Sequence, residues 1–402
     1  MILVQGDDNI FICLRRTKYG FGILLIICIL LVAATPLSAS PDIQDEGAYN
    51  ERGLELFQKE QFGEAISEFT KAIANNPSSE YAYKNRGVVY YKQKQFNLAI
   101  SDFDRAIEIN PKFGYAYYQR AQAYYAQRQY QQAADDINEA IANRYQRIDV
   151  YEMRAIIYSE LKQYPESIAD FDRVLAVNPR DAKACIGRSI AYFMLKEFDQ
   201  AIDNLNMAIT INPQDETAYS IRGSIYAQLK QYEQALADYD KIIEINPNYK
   251  DAYIDRGRAY YKLEKYEQAL ADYNKAINSS ITPYAYLSRG NTYVSLKQYG
   301  NAIADYNKAL ALDQKNESTY VFYRGIAYLR LSKFKQSIND FEKVIAIYPQ
   351  FAEPYYLKGL ALTNLDRNQE AITAFRQYIL LGTDTASVNE AKGYIIQLGS
   401  KP

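Results

Sequence analysis

The chain has 402 residues, 48% of them hydrophobic and 23% charged, with a formal net charge of −2. That length exceeds one ordinary core and asks for several domains or an array of repeats, while the apolar content excludes a disordered polymer. The charges are spread evenly, which removes the basic stripe of a nucleic-acid-binding protein, and the absence of His removes the commonest general base and metal ligand.

Residues 1–40 read as a targeting segment. Arg15, Arg16 and Lys18 precede Phe21–Ala34, fourteen residues without a charge, and the next charges, Asp42, Asp45 and Glu46, are acidic. A basic flank, a short apolar run and small residues after it describe a secretory signal. A spanning helix wants about 20 apolar residues, and Pro36 cuts this run short. Cleavage and retention as an anchor both stay open, because Ser38 and Ser40 suit a cleavage site but Pro41 follows it. Asp7 and Asp8 do not fit the basic region of a signal, so the signal pattern begins near Leu14. In either case the basic residues stay cytoplasmic and the remainder crosses the membrane. The expected location is extracytoplasmic: secreted, periplasmic, or membrane-anchored with the rest of the chain outside, and the membrane is met only through this segment. Cys13 and Cys28 lie within it, which leaves Cys185 without a disulfide partner in the remainder. Replacing a repeated Tyr, Cys185 reads as a small buried hydrophobe.

After a linker at 41–45 the sequence becomes periodic. Pro77, Pro111, Pro179, Pro213 and Pro247 are spaced by 34 residues or a multiple of it. Aligned on them, the second copy reads Tyr83, Arg86, Gly87, Tyr90, Ala99, Phe103, Ala106 and Pro111. Copies begin near Glu46, Glu80, Gly114, Ile148, Ala182, Glu216, Lys250, Pro283, Ser318 and Ala352. Each holds two runs with apolar residues at helical spacing, so each is an antiparallel hairpin closed by proline. Two helices approach closely only across small side chains. The first helix supplies Gly53, Gly87, Ala121, Ala155, Ser189, Gly223, Gly257, Gly290, Gly325 and Gly359, and the second an Ala or Ser at the matching place, such as Ala65, Ser167, Ala235 and Ser337. Each hairpin buries its faces only against neighbours, so the last needs a cap. In 386–402, Val388, Ala391, Tyr394, Ile395 and Leu398 form an apolar stripe suited to a capping helix. Three joints depart from the pattern: Tyr145 replaces proline, Ser279–Thr282 is one residue short, and Asp313–Glu317 is one long. Neutral drift explains these departures better than bending of the array.

This pattern resembles the tetratricopeptide repeat in period and residue types over 46–385, with Tyr83 where the family often has Trp. The resemblance implies an all-α, right-handed α-α superhelix, a solenoid of ten hairpins with a C-terminal capping helix. It also implies a non-enzymatic scaffold that binds a partner protein segment in a concave groove. That groove is lined by positions two, five, nine and twelve of each first helix, whose spacing puts them on one face. The candidate residues are Tyr81, Lys84 and Tyr91 in repeat two, Tyr115, Tyr118 and Tyr125 in repeat three, and Ile186, Ile190 and Phe193 in repeat five. The dicarboxylate clamp of chaperone-binding members is absent, since Lys84 is followed by Val88 and Asn291 is preceded by Leu287. An aromatic lining suits an apolar or aromatic peptide segment. These tyrosines could equally pack between neighbouring first helices. The alternative function is a carbohydrate- or polymer-binding accessory of an export machine, because stacked tyrosines also recognise sugars.

No catalytic, cofactor or metal site is expected. Arg at position seven recurs with an acid sixteen residues later, as Arg52/Glu68, Arg86/Asp102, Arg120/Asp136, Arg154/Asp170, Arg222/Asp238, Arg256/Asp272, Arg289/Asp305 and Arg324/Asp340. An active site is singular, whereas these eight pairs are equivalent, so they are structural.

Overall fold

A computed structural model describes residues 41–279, 282–382, 384–399 and 401. The expected targeting segment at 1–40 lies outside the described residues, as do residues 280 and 281 of the shortened joint. The fold is all-α, with 21 helices and no strand among the described residues. None of these helices is long and apolar enough to cross a membrane.

Two compact units divide at Arg144 and Tyr145, the joint that lacks its proline. In the first, α1 (Pro41–Gln58) pairs with α2 (Phe62–Asn75), α3 (Glu80–Lys92) with α4 (Phe96–Ile109), and α5 (Gly114–Ala126) with α6 (Tyr130–Ala142). Each second helix also packs on the next first helix, and successive first helices approach one another. The second unit repeats this plan in seven hairpins, α7 to α20, between Ile148 and Leu381, and α21 (Thr385–Gln397) packs on the last.

The linker expected at 41–45 is instead helical, because α1 starts at Pro41. Proline suits a first helical turn, where its missing N–H would have had no partner. At the other end, Ala391 and Ile395 are fully buried, and Tyr394 stacks on Phe375 with centroids 5.2 Å apart. Most joints are held by Asn, whose side chain accepts the N–H two residues on, as Asn110 does from Lys112 at 3.1 Å. The lengthened joint is tied by Asp313, which accepts the Lys315 N–H at 3.0 Å and the Tyr320 hydroxyl at 3.0 Å.

All twenty small-residue contact positions are buried. The packing follows an exchange of size across the seam. A Cβ on Gly53, Gly87, Gly257 or Gly359 would meet the rings of Phe69, Phe103, Tyr273 or Phe375 at 2.6–2.8 Å. Where Ala121 or Ser189 replaces glycine, the residue opposite shrinks to Ile137 or Leu205, both fully buried. Ala155 keeps its aromatic partner, and the Phe171 ring turns toward the next hairpin, where a Cβ on Gly187 would meet it at 2.3 Å.

Each hairpin turn uses a left-handed residue that is never glycine. Glu60, Lys94, Arg128, Lys162, Lys196, Lys230, Glu264, Lys297, Ser332 and Asp366 have φ of 55–64°. The following N–H then closes on the carbonyl five residues earlier, as Gln163 does on Tyr158 at 2.8 Å. A side chain in this conformation costs about 1–2 kcal/mol. Lys162→Gly should therefore raise stability by about 0.5–1 kcal/mol, after the larger unfolded-state entropy of glycine. A lower urea midpoint would show instead that the lysine side chain holds the turn.

Candidate functional site

The repeated arginines come first, because they dominate the polar interior. Seven of the eight expected pairs form. Arg86 donates from Nε and Nη2 to Asp102 at 2.8 and 2.7 Å, and Arg324 to Asp340 at 2.8 and 2.7 Å. Arg52 and Glu68 do not pair: Lys71 takes Glu68 at 2.6 Å, and Arg52 is exposed. The physical reason is the other face of the guanidinium. Elsewhere Nη1 reaches back to the preceding second helix, from Arg120 to Asp104 at 2.5 Å and from Arg256 to Asp240 at 2.6 Å. Among the described residues no second helix precedes Arg52. In repeat ten Lys358 keeps only the backward link, to Glu342 at 2.7 Å. These groups hold the scaffold. None of the described His, Cys, Asp or Glu residues forms a group of three or more that could hold a metal ion. Cys185 is buried, and that burial pushes its thiol up, away from reactivity.

In the first unit the aromatic residues separate into two kinds. Tyr91 and Tyr125 turn toward the second helix of their own hairpins, with centroids 5.7 Å from Phe96 and 5.5 Å from Tyr130. The same contact recurs as Phe57–Phe62, Phe193–Phe198 and Tyr261–Tyr266, so position twelve locks the hairpin. Tyr118 is 9% exposed and belongs to the core, which corrects its placement on an open groove wall. Tyr81 is 55% exposed and meets Phe113 edge-on at 5.3 Å, and Phe113 lies 6.5 Å from Tyr115. Phe113 was not among the sequence candidates because it stands in the joint.

Lys84 lies between these rings, with Nζ 5.9 Å from the Tyr81 centroid and 5.5 Å from that of Tyr115. It donates to Asn85 Oδ1 at 2.5 Å, and Asn85 donates to Asn50 at 2.8 Å. Burial lowers its ammonium to about 8 from the ordinary 10.5. Between those values the unfolded chain binds more protons than the folded one, so stability should rise with pH across that window and stay unaffected by this group below it. Comparing unfolding of the native chain and Lys84→Met at pH 7 and pH 10 checks this, because the variant should lose the gain.

The repeat-five candidates belong to the second unit and join no single site with those above. Ile190 is 39% exposed, while Ile186 and Phe193 pack on the core. Three features of this unit fell outside the candidate list. A cavity of about 720 Å³ is lined by Phe322, Tyr323, Val344, Ile347, Tyr348 and Phe351, where Tyr348 replaces the Asn of other joints. Two further cavities, of about 380 and 170 Å³, share Arg258 and Lys262.

Family models described as tetratricopeptide repeat match residues 80–113, 217–249 and 283–316, residues 152–216 and 324–386, and residues 103–135 and 238–271; one described as TPR repeat matches 53–94. The chain belongs to the tetratricopeptide-repeat (TPR) family. Among solved structures it is similar to the C-terminal part of a TPR repeat-containing protein from Cytophaga hutchinsonii, at 20% identity over 57% of this chain and 95% of that one, with a TM-score of 0.50. It is also similar to YrrB, a TPR protein with an unusual peptide-binding site, at 24% identity over 46% and 95%, TM-score 0.42. For yeast Tom70 the values are 14% identity over 89% and 96%, TM-score 0.40. No curated protein sequence matches the chain. A TPR array is a protein-binding scaffold.

Proposed function

We propose that this TPR array works outside the cytoplasm, holding an apolar or aromatic segment of a partner protein on its first-helix face during assembly of a membrane or envelope complex. One observation carries the binding reading. Tyr81, Phe113 and Tyr115 form a run of rings around Lys84, with Tyr81 55% exposed. An exposed ring flanked by half-buried ones favours a partner that covers it. The location rests on Arg15, Arg16 and Lys18 ahead of the apolar run.

Panning a displayed peptide library on the full chain should enrich aromatic and aliphatic sequences. Tyr81→Ala with Tyr115→Ala should weaken the enriched peptides by about tenfold, or 1.4 kcal/mol, with the helical signal kept. Tyr118→Ala should act on stability instead. Equal binding by the folded double variant would sink the site. A reporter fused after Pro402 should be active only outside the cytoplasm, and cytoplasmic activity would overturn the location.

A further inference from the structure

The first-helix face of repeats six to eight has a chemistry of its own. Second helices elsewhere carry Phe69, Phe103, Ile137, Phe171, Leu205, Phe341 and Phe375 where these three carry Tyr239, Tyr273 and Tyr306. The tyrosine rings sit beneath Gly223, Gly257 and Gly290, and these almost fully buried side chains end among polar groups of the first helices. Tyr239 lines one cavity with Ser224, and Tyr273 lines the other with Ser288. Tyr306 donates to Asn291 Oδ1 at 2.7 Å, and Asn291 lines the smaller cavity. The floor here is hydroxylated where other repeats have hydrocarbon.

Two basic groups stand over that floor. Arg258 and Lys262 project from α13 (Lys250–Lys262) and line both adjoining cavities, one on either side of the helix. The nearest acid to Arg258 is Asp255, at 3.4 Å, and the two side chains are 56% and 30% exposed. Lys262 is exposed and makes no ion pair among the described residues. Among the residues that line the two cavities, a guanidinium and an ammonium stand with one half-buried carboxylate, Asp255, and Asp251 lies near enough to Asp255 to act on it.

We propose that this stretch is a second docking site, which takes an extended acidic segment of a partner protein with its carboxylates against Arg258 and Lys262. A carboxylate accepts paired hydrogen bonds from a guanidinium, and a chain lying across α13 can place one in each cavity. A neutral sugar is less suited, because the Arg258 guanidinium already lies over the Tyr284 ring at 5.7 Å and takes the face on which a sugar would stack. The proposal rests on the reading of the array as a peptide-binding scaffold, but uses residues separate from the Tyr81 patch.

The test uses the full chain, a fluorescent glutamate-rich peptide, and the same peptide with every glutamate replaced by glutamine. The glutamate peptide should bind more weakly as salt rises, and the glutamine peptide should lose at least about tenfold in affinity. Arg258→Gln with Lys262→Gln should remove that difference. Asp255→Asn should strengthen the glutamate peptide about threefold or more, because it removes the carboxylate that pairs with Arg258. Opposite signs at neighbouring residues are not expected from structural damage, and the exposure of Arg258 and Lys262 keeps the variants folded. Equal affinity for the two peptides overturns the proposal, as does failure of the double variant to weaken binding, or displacement of the peptide by a polyuronate at lower concentration. None of these outcomes touches binding of library peptides at Tyr81 and Tyr115, so the broader reading stands or falls separately.

Discussion

Arg256→Ala should destabilise the second unit by about 3–5 kcal/mol, the loss expected when one partner of a buried ion pair is removed. Its guanidinium donates to Asp272 at 2.8 and 2.6 Å and to Asp240 of the preceding hairpin at 2.6 Å. The Asp272 side chain is 7% exposed, so no water can fully replace the lost donors. Burial already pushes Asp272 upward and the Arg256 hydrogen bonds pull it down. With Arg256 gone, burial and the nearby Asp240 charge remain, both pushing the same way, and the folded carboxyl binds its proton more tightly than the unfolded one. Stability of the variant should then fall as pH rises, which makes the damage smaller near pH 4 than at pH 7. Arg52→Ala is the control: that side chain is exposed and unpaired with Glu68, so the change should stay within about 0.5 kcal/mol. Equal losses at positions 52 and 256 would refute the role given to the two-sided link.

Phe341→Ala should cost about 3–5 kcal/mol, because it empties the space beneath a helix contact. Phe341 is fully buried, and a Cβ on Gly325 would stand 2.9 Å from its ring. Gly325→Ala should cost about 1–3 kcal/mol by overpacking. Joined with Phe341→Leu, it should cost less than the two single changes added, since the pair then resembles Ser189 with Leu205. Strict additivity in a double-mutant cycle would mean that ring and methyl do not meet.

The hairpins were legible because the same physical demand recurs ten times. A small residue at Gly87, an aromatic at Phe103 and a proline at Pro111 are each weak signals alone, and repetition removes the ambiguity. The backward reach of Arg120 to Asp104 was harder to see, because it joins two copies and alignment compares each copy only with itself. The candidate site was less legible. Tyr81 and Tyr118 are both tyrosines at groove positions, yet one is open and the other buried, since exposure depends on the rings brought beside them. Phe113 comes from a joint, where helical spacing gives no guidance. The Phe-to-Tyr exchange at Tyr239, Tyr273 and Tyr306 was visible as a pattern, but that these side chains end among polar groups of the first helices follows only from the rings lying under glycine.

Neighbour-only packing also sets how the molecule answers a mechanical load. Within each unit a hairpin leans on the one before and the one after, and among the described residues the arginine links extend no further. Tension applied through the chain therefore meets a series of similar, separate resistances. Extension should proceed in steps, each releasing one 34-residue copy, roughly 110–120 Å of extended chain. The copy at Arg52, which lacks the two-sided link, should give way at lower force than one held like Arg256. Such an array would yield gradually and keep its remaining hairpins folded while part of it is drawn out.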